Sequence, residues 1–313
     1  MRFSWAGLLV AALLFGPACG DEPAPVPERP TPTPEVAGTP QTVTRTVQDQ
    51  LGRTVALGDH VQRVAALSPA AADYARALGL EVVTRSSDTP AEFAPGASAA
   101  GATVSPDFAA IAEARPDLVI ADANYHSGRT RDFDRFVYPV FVVKSNSYDE
   151  VLAALGALGD AVGRRDEAAA VLGTLEQQRE RALARAKAGS QRVLILTGGG
   201  RDVFAGGEST YLGSLVAELG AVNVFGNTPS GGPLPGFGVV EVSQAASLAP
   251  DVVLVLSSGQ GGLVDQIKAD PAWSGAPAVR AGRVLEVDTL LFLRAAGPRA
   301  GLALEELARI LWP

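Results

Sequence analysis

Arg164-Arg-Asp-Glu-Ala-Ala-Ala-Val-Leu-Gly-Thr-Leu-Glu-Gln-Gln-Arg-Glu-Arg-Ala-Leu-Ala-Arg-Ala-Lys-Ala188 reads as one uninterrupted helix in the middle of the chain. Nearly every residue is a strong helix former, proline is absent, and Gly173 is the one weak point. Val171, Leu172, Leu175, Ala182 and Leu183 recur at three- and four-residue steps, which predicts one apolar stripe on a charged rod. Arg185 and Lys187 suit the negative end of the helix dipole, and Gly189-Ser190 closes the helix. Such a rod spans about 35 Å, the width of a small domain. Taken alone it fits a surface helix of a single domain. Its flanks decide otherwise, because both carry the same plan.

Before the rod, Thr42 to Val47 and Arg53 to Leu57 read as a hairpin, and Arg63 to Leu67 as a buried-type strand. Ser68-Pro69 then opens a helix running to Leu78-Gly79. Strands Glu81 to Thr84, Leu118 to Ala121 and Val140 to Val143 alternate with helical runs at Pro106 to Ala114, Asp132 to Phe136 and Tyr148 to Val162. Beyond it, strands Gln191 to Leu196, Val252 to Leu256 and Arg283 to Val287 alternate with helices Thr210 to Gly220, Glu241 to Leu248 and Pro298 to Leu311. Arg115-Pro116-Asp117-Leu118-Val119-Ile120 corresponds to Ala249-Pro250-Asp251-Val252-Val253-Leu254. Continuous apolar strands between helices imply mostly parallel sheets covered on both faces. The reading is α/β: two similar Rossmann-like lobes, residues 42–163 and 190–313, joined by one long helix at 164–189.

The 313 residues, 47% hydrophobic, suffice for two packed cores, and a net charge of −8 disfavours nucleic acid as a partner. Met1-Arg2, the apolar run Ala6 to Phe15 and the small residues Gly16-Pro17-Ala18 form a signal peptide too short to span a bilayer stably. Cys19 follows at once and is the only cysteine, so it makes no internal disulfide. The arrangement resembles the lipobox of bacterial lipoproteins, with Gly16 where leucine is usual. Ordinary cleavage beside an incidental cysteine is the other reading. Residues 20–41, rich in Pro, Thr and Glu, lack apolar periodicity and read as a disordered tether. The expected location is extracytoplasmic: lipid-anchored at the membrane through Cys19, or periplasmic if that residue is unmodified.

Asp49-Gln50-Leu51-Gly52-Arg53-Thr54-Val55, Arg63-Val64-Ala65-Ala66-Leu67-Ser68-Pro69, Arg115-Pro116-Asp117-Leu118-Val119-Ile120-Ala121 and Gly297-Pro298-Arg299 together resemble one family. It is the substrate-binding proteins of ABC importers for iron–siderophores, haem and cobalamin, the class in which one long helix joins two α/β lobes. The likeness runs from Thr42 to Pro313. It implies capture of a bulky iron chelate or cobalamin in the interlobe cleft, delivery to a permease and its ATPase, no catalysis and no resident cofactor, by a monomer. Members usually dock on the permease through a glutamate of each lobe; the matching positions here are Ala109 and Ser243, with Asp107 and Glu241 the nearby substitutes.

Ligands of open α/β sheets bind off the carboxyl ends of the strands. This nominates Ser68, Ser87, Asn124, Tyr125, His126 and Lys144 in the first lobe, and Arg201, Ser257, Ser258, Phe292 and Arg294 in the second. Tyr125-His126 is the most informative pair, since the chain has only two histidines. Either side chain could ligate haem iron or stack on a planar ligand, or His126 is a solvated loop residue. One candidate histidine and a committed cysteine cannot build a bare divalent-metal site. Gly198-Gly199-Gly200-Arg201 lacks the order of a dinucleotide fingerprint or P-loop, leaving a tight turn or a close ligand approach, with Arg201 able to hold a carboxylate. Phe237 and Phe292 belong either to the core or to a ligand wall, while Asp73 and Tyr74 read as structural. The alternative function is an extracytoplasmic α/β enzyme using the same cleft, though the chain offers no G-x-S-x-G elbow and few general bases.

Overall fold

Antiparallel strands β1 (Arg45–Gln48) and β2 (Thr54–Leu57) form the expected hairpin in the computed structural model, which describes residues 45–187, 191–226, 231–232, 234–257 and 262–313. Asp49 shapes its turn by accepting backbone N–H bonds from Leu51 and Arg53. The first lobe continues through β3 (Arg63–Ala66), α1 (Pro69–Ala77), β4 (Glu81–Arg85), β5 (Ser98–Ala99), the small hairpin β6 (Gly101–Ala102) and β7 (Ser105–Pro106), and α2 (Phe108–Glu113). It closes with β8 (Leu118–Asp122), α3 (Ala123–His126), α4 (Thr130–Arg135), β9 (Val140–Val143) and α5 (Tyr148–Val162). Its five-stranded sheet has the order β5-β4-β3-β8-β9, parallel throughout. Strands β8 and β9 are buried at every position, which is why they read as unbroken apolar runs.

After α6 (Arg165–Arg185) the second lobe runs β10 (Arg192–Gly199), β11 (Asp202–Gly206), α7 (Tyr211–Glu218), β12 (Val222–Asn223), β13 (Phe237–Val239) and α8 (Val242–Ala245). Then come β14 (Val252–Leu256), α9 (Leu263–Ala269), α10 (Pro277–Arg280), β15 (Val284–Val287) and α11 (Ala300–Leu311). Its sheet orders β13-β11-β10-β14-β15, with β12 also on β10; β11 alone runs against the others, antiparallel to both β10 and β13. The triple glycine does not end β10, which continues to Gly199 and turns into β11. Gly198 sits at φ +96°, where an added Cβ would strike the Asp202 carbonyl, so the glycine serves the turn.

The repeat extends below the level of elements. Asp117 accepts from the backbone N–H groups of Gln62 and Arg63 at the start of β3, and Asp251 accepts from Arg192 at the start of β10. Arg115 and Ala249, each just before the proline, are the non-glycine residues with positive φ among those described. One local device thus pins the leading strand of each sheet.

Helix α6 has 21 residues, about 30 Å, and buries Ala168, Leu175 and Ala182, with Val171 and Leu172 packed beside them. Leu183, which the spacing placed in the stripe, is instead 39% exposed. The helix ends at Arg185, with Ala186 extended, so Lys187 is not in its last turn and it stops short of the expected Gly189-Ser190, which lies outside the described residues. The rod is fastened to both lobes. Tyr148 of α5 donates to the Leu175 carbonyl (2.7 Å), while Arg179 pairs with Glu218 (2.6 Å) and Arg181 with Glu305 (2.7 Å). Beyond the rod the lobes meet directly along α1. An added Cβ on Gly297 would lie 3.2 Å from the Tyr74 ring, and Arg299 pairs with buried Asp73 at 3.0 Å.

Candidate functional site

A narrow pocket lies where both lobes contribute walls: Asn124, Tyr125 and Asn146 from one, and Thr210, Tyr211, Leu234, Pro235, Phe237 and Leu293 from the other. The first-lobe residues stand just past β8 and β9, as the carboxyl-end rule requires. Asp122 ends β8, and its Oδ1 accepts from the Asn124 N–H at 2.9 Å, bending the chain into α3. Below, the Tyr74 hydroxyl and Ser145 Oγ are 3.0 Å apart, which holds the loop that carries Asn146. In the second lobe Thr210 donates to the Gly207 carbonyl (2.7 Å) and accepts from Gly213 N–H (3.1 Å), capping α7 so that Tyr211 begins it. An added Cβ at Gly213 would collide with that carbonyl, so the loop tolerates only glycine there.

Burial governs the chemistry of these groups. The Tyr211 hydroxyl is buried with no hydrogen-bond partner among the described residues. Desolvation pushes the phenol pKa of both Tyr125 and Tyr211 well up, so each offers a neutral O–H donor rather than a phenolate. Desolvation likewise pushes Asp122 up to about 6, partly offset by the Asn124 N–H and the Ser68 hydroxyl (3.3 Å). The pocket therefore mixes apolar walls with O–H and amide donors, a surface suited to ligand oxygens.

Several nominated residues lie elsewhere. Ser68 is fully buried as the cap of α1, accepting from Ala71 N–H at 3.0 Å, and does not face the cleft. His126 is also fully buried. Its Nε2 meets only the Thr103 carbonyl (2.8 Å), so it carries the proton, and Nδ1 accepts from the Asp122 N–H (3.0 Å). Burial lowers its pKa, leaving a neutral ring with both nitrogens engaged and none for iron. Phe292 is 1% exposed and belongs to the core. Lys144 pairs with Glu150 at 2.6 Å, and the Ser257 carbonyl accepts from Thr289. Arg201 is exposed at the β10–β11 turn, in a separate recess with Glu241 and Gln266. Ser87 is exposed, and Ser258 and Cys19 lie outside the described residues. Asn124 and Tyr125 line the pocket, Arg294 stands next to its wall residue Leu293, and Phe237 is buried at the pocket's edge. Asn146, Thr210 and Tyr211 were missed; a threonine opening a helix after Gly207-Glu208-Ser209 was their one signal.

Two α/β lobes sharing such a pocket and bridged by one helix define a solute-binding protein. The chain belongs to the periplasmic binding protein family, whose model matches residues 64–289. It is 28% identical over 267 residues to the Fe(3+) dicitrate-binding periplasmic protein FecB of Escherichia coli, covering 80% of this chain and 85% of that one. The Fe(3+)-citrate-binding protein YfmC of Bacillus subtilis is 24% identical over 254 residues, 78% of each chain. Among solved structures, the periplasmic heme-binding protein BhuT in complex with two hemes superposes with a TM-score of 0.68 at 25% identity, over 80% of this chain and 98% of that one.

Proposed function

We propose that this chain is the extracytoplasmic ligand-capturing protein of an ABC importer and that its cargo is a compact anionic ferric chelate of the ferric-citrate type. Family membership and the names of both relatives support the transport role, and a binding role rather than the enzyme alternative. The observation that carries the ligand class is the set of unfilled donors in the pocket. The Tyr211 hydroxyl lacks a partner among the described residues, and the neutral Tyr125 phenol and the amides of Asn124 and Asn146 line the same pocket. Such donors suit carboxylate and hydroxyl oxygens wrapped around a metal. Haem takes an axial ligand; the buried His126 does not supply one, which leaves the Tyr125 phenol as the one candidate of that pair. The same reading makes Cys19 the lipid-bearing residue, residues 20–41 the tether, Asp107 and Glu241 the acids offered to the permease, and the working form a monomer. Asp107 keeps that role while capping α2 through one oxygen, because its other oxygen stays at the exposed surface.

Titration of the purified full chain with ferric citrate, haem, ferric siderophores and cobalamin tests this reading. Saturable quenching of tryptophan fluorescence by ferric citrate, weakened at least tenfold in Tyr211→Phe, is the expected result. A Soret shift with haem that disappears in Tyr125→Ala, without response to ferric citrate, would make the protein a haem carrier instead.

A further inference from the structure

A carboxylate of one lobe pairs with an arginine of the other. Asp88, in the loop after β4, meets Arg294 of the other lobe, 206 residues later: Arg294 Nη2 donates to Asp88 Oδ2 at 2.8 Å and to the Asp88 carbonyl at 2.6 Å. Arg294 is the last residue of the π-helical turn Leu290–Arg294, which core residue Phe292 anchors. It follows pocket residue Leu293, and its charge is felt at the Tyr125 phenol.

We propose that Asp88 is an internal competitor for the ligand, holding Arg294 as a ligand carboxylate would, so that the pair selects anionic over neutral cargo by exchange. The proposal rests on the ferric-chelate reading above. Three features make exchange cheap. Asp88 Oδ1 is independently satisfied within its own lobe, accepting from the N–H and Oγ1 of Thr103, both at 2.9 Å. Without Arg294 the carboxylate therefore keeps two hydrogen bonds and its contact with water, being 38% exposed. The arginine in turn engages Asp88 through a single nitrogen, and none of the described residues accepts from its Nε or Nη1. Displacing Asp88 frees Nη2, and with it the bidentate grip that a carboxylate ligand allows and Asp88 does not use. A half-exposed pair of this kind holds the lobes only weakly, so a ligand can displace it.

The test compares wild type, Asp88→Asn and Arg294→Gln, with ferric citrate and a neutral ferric trihydroxamate as probes and melting curves as the folding control. Asp88→Asn should bind ferric citrate about two- to fivefold more tightly, the worth of an exposed ion pair. Arg294→Gln should bind it tenfold or more weakly, and the ratio for the neutral chelate should stay near one in both. If Asp88→Asn weakens ferric citrate as Arg294→Gln does, the pair is a structural clamp and the proposal falls while the transport reading stands. If wild type and both variants ignore every ferric chelate, both fall together.

Discussion

His126 and Asp122 lie four residues apart, are both fully buried, and respond to pH in opposite senses. His126 has its pKa lowered by burial, so its contribution to stability is present above the unfolded value and is lost as acid forces a positive charge onto a buried ring. Asp122 is the reverse. Its pKa rises from 3.8 to about 6, so between those values the native state holds a proton that the unfolded chain has released. Stability from this group therefore falls as pH rises through that window, reaching a cost on the order of 3 kcal/mol above it. Asp122→Asn retains an acceptor for the Asn124 N–H and gains a donor for the Ser68 hydroxyl. It should raise stability at pH 7 by about 2 kcal/mol and be nearly neutral at pH 4. Chemical denaturation at the two pH values checks this, and an equal effect at both would show that Asp122 is not strained by its charge. The sequence singled out His126 because histidine is rare here. It did not show that the ring turns back onto the Thr103 carbonyl, a contact set by the β6–β7 hairpin.

Among the elements, legibility follows periodicity. Helix α5 spans the expected Tyr148 to Val162, because an amphipathic run between Ser147 and Gly163 carries both cap signals. The buried strands were equally plain. Less visible were β13 and the π-helical turn Leu290–Arg294, since neither shows a regular period and each depends on contacts from elsewhere in the chain. Helix α6 shows the same limit, as its charged faces are covered only where neighbouring helices approach. One such approach is at Gly301 of α11, where an added Cβ would run into the Gln178 side chain. Gly301→Ala should therefore destabilise the protein by about 1–3 kcal/mol through overpacking, against the gain alanine brings in a free helix. Combining it with Gln178→Ala should recover only part of that loss, because the Gln178 Cβ, 2.7 Å from the added carbon, remains. A double-mutant cycle by urea denaturation decides, and additive losses would place the strain elsewhere.

At the scale of the whole molecule, two interlobe ion pairs among the described residues differ in kind. Asp73 is 2% exposed and held by Arg299 and Arg76, with the Arg299 guanidinium 4.4 Å over the Phe93 ring. Asp88–Arg294 is open to water. Breaking a buried pair by removing one partner is costly, whereas an exposed pair is worth little, so the Asp73 contact acts as a fixed seam beside the exchangeable one. With α6 bonded to both lobes, the seam leaves little freedom for hinge closure. We expect X-ray scattering of the wild type to show no measurable contraction on adding saturating ferric citrate. Asp73→Asn should cost about 2–3 kcal/mol and let a ligand-dependent contraction appear, because the buried ion pair that fixes the lobes is then lost. A wild-type protein that contracts as much as the variant would show that the seam does not restrain the lobes, and that capture proceeds by hinge closure around the rod.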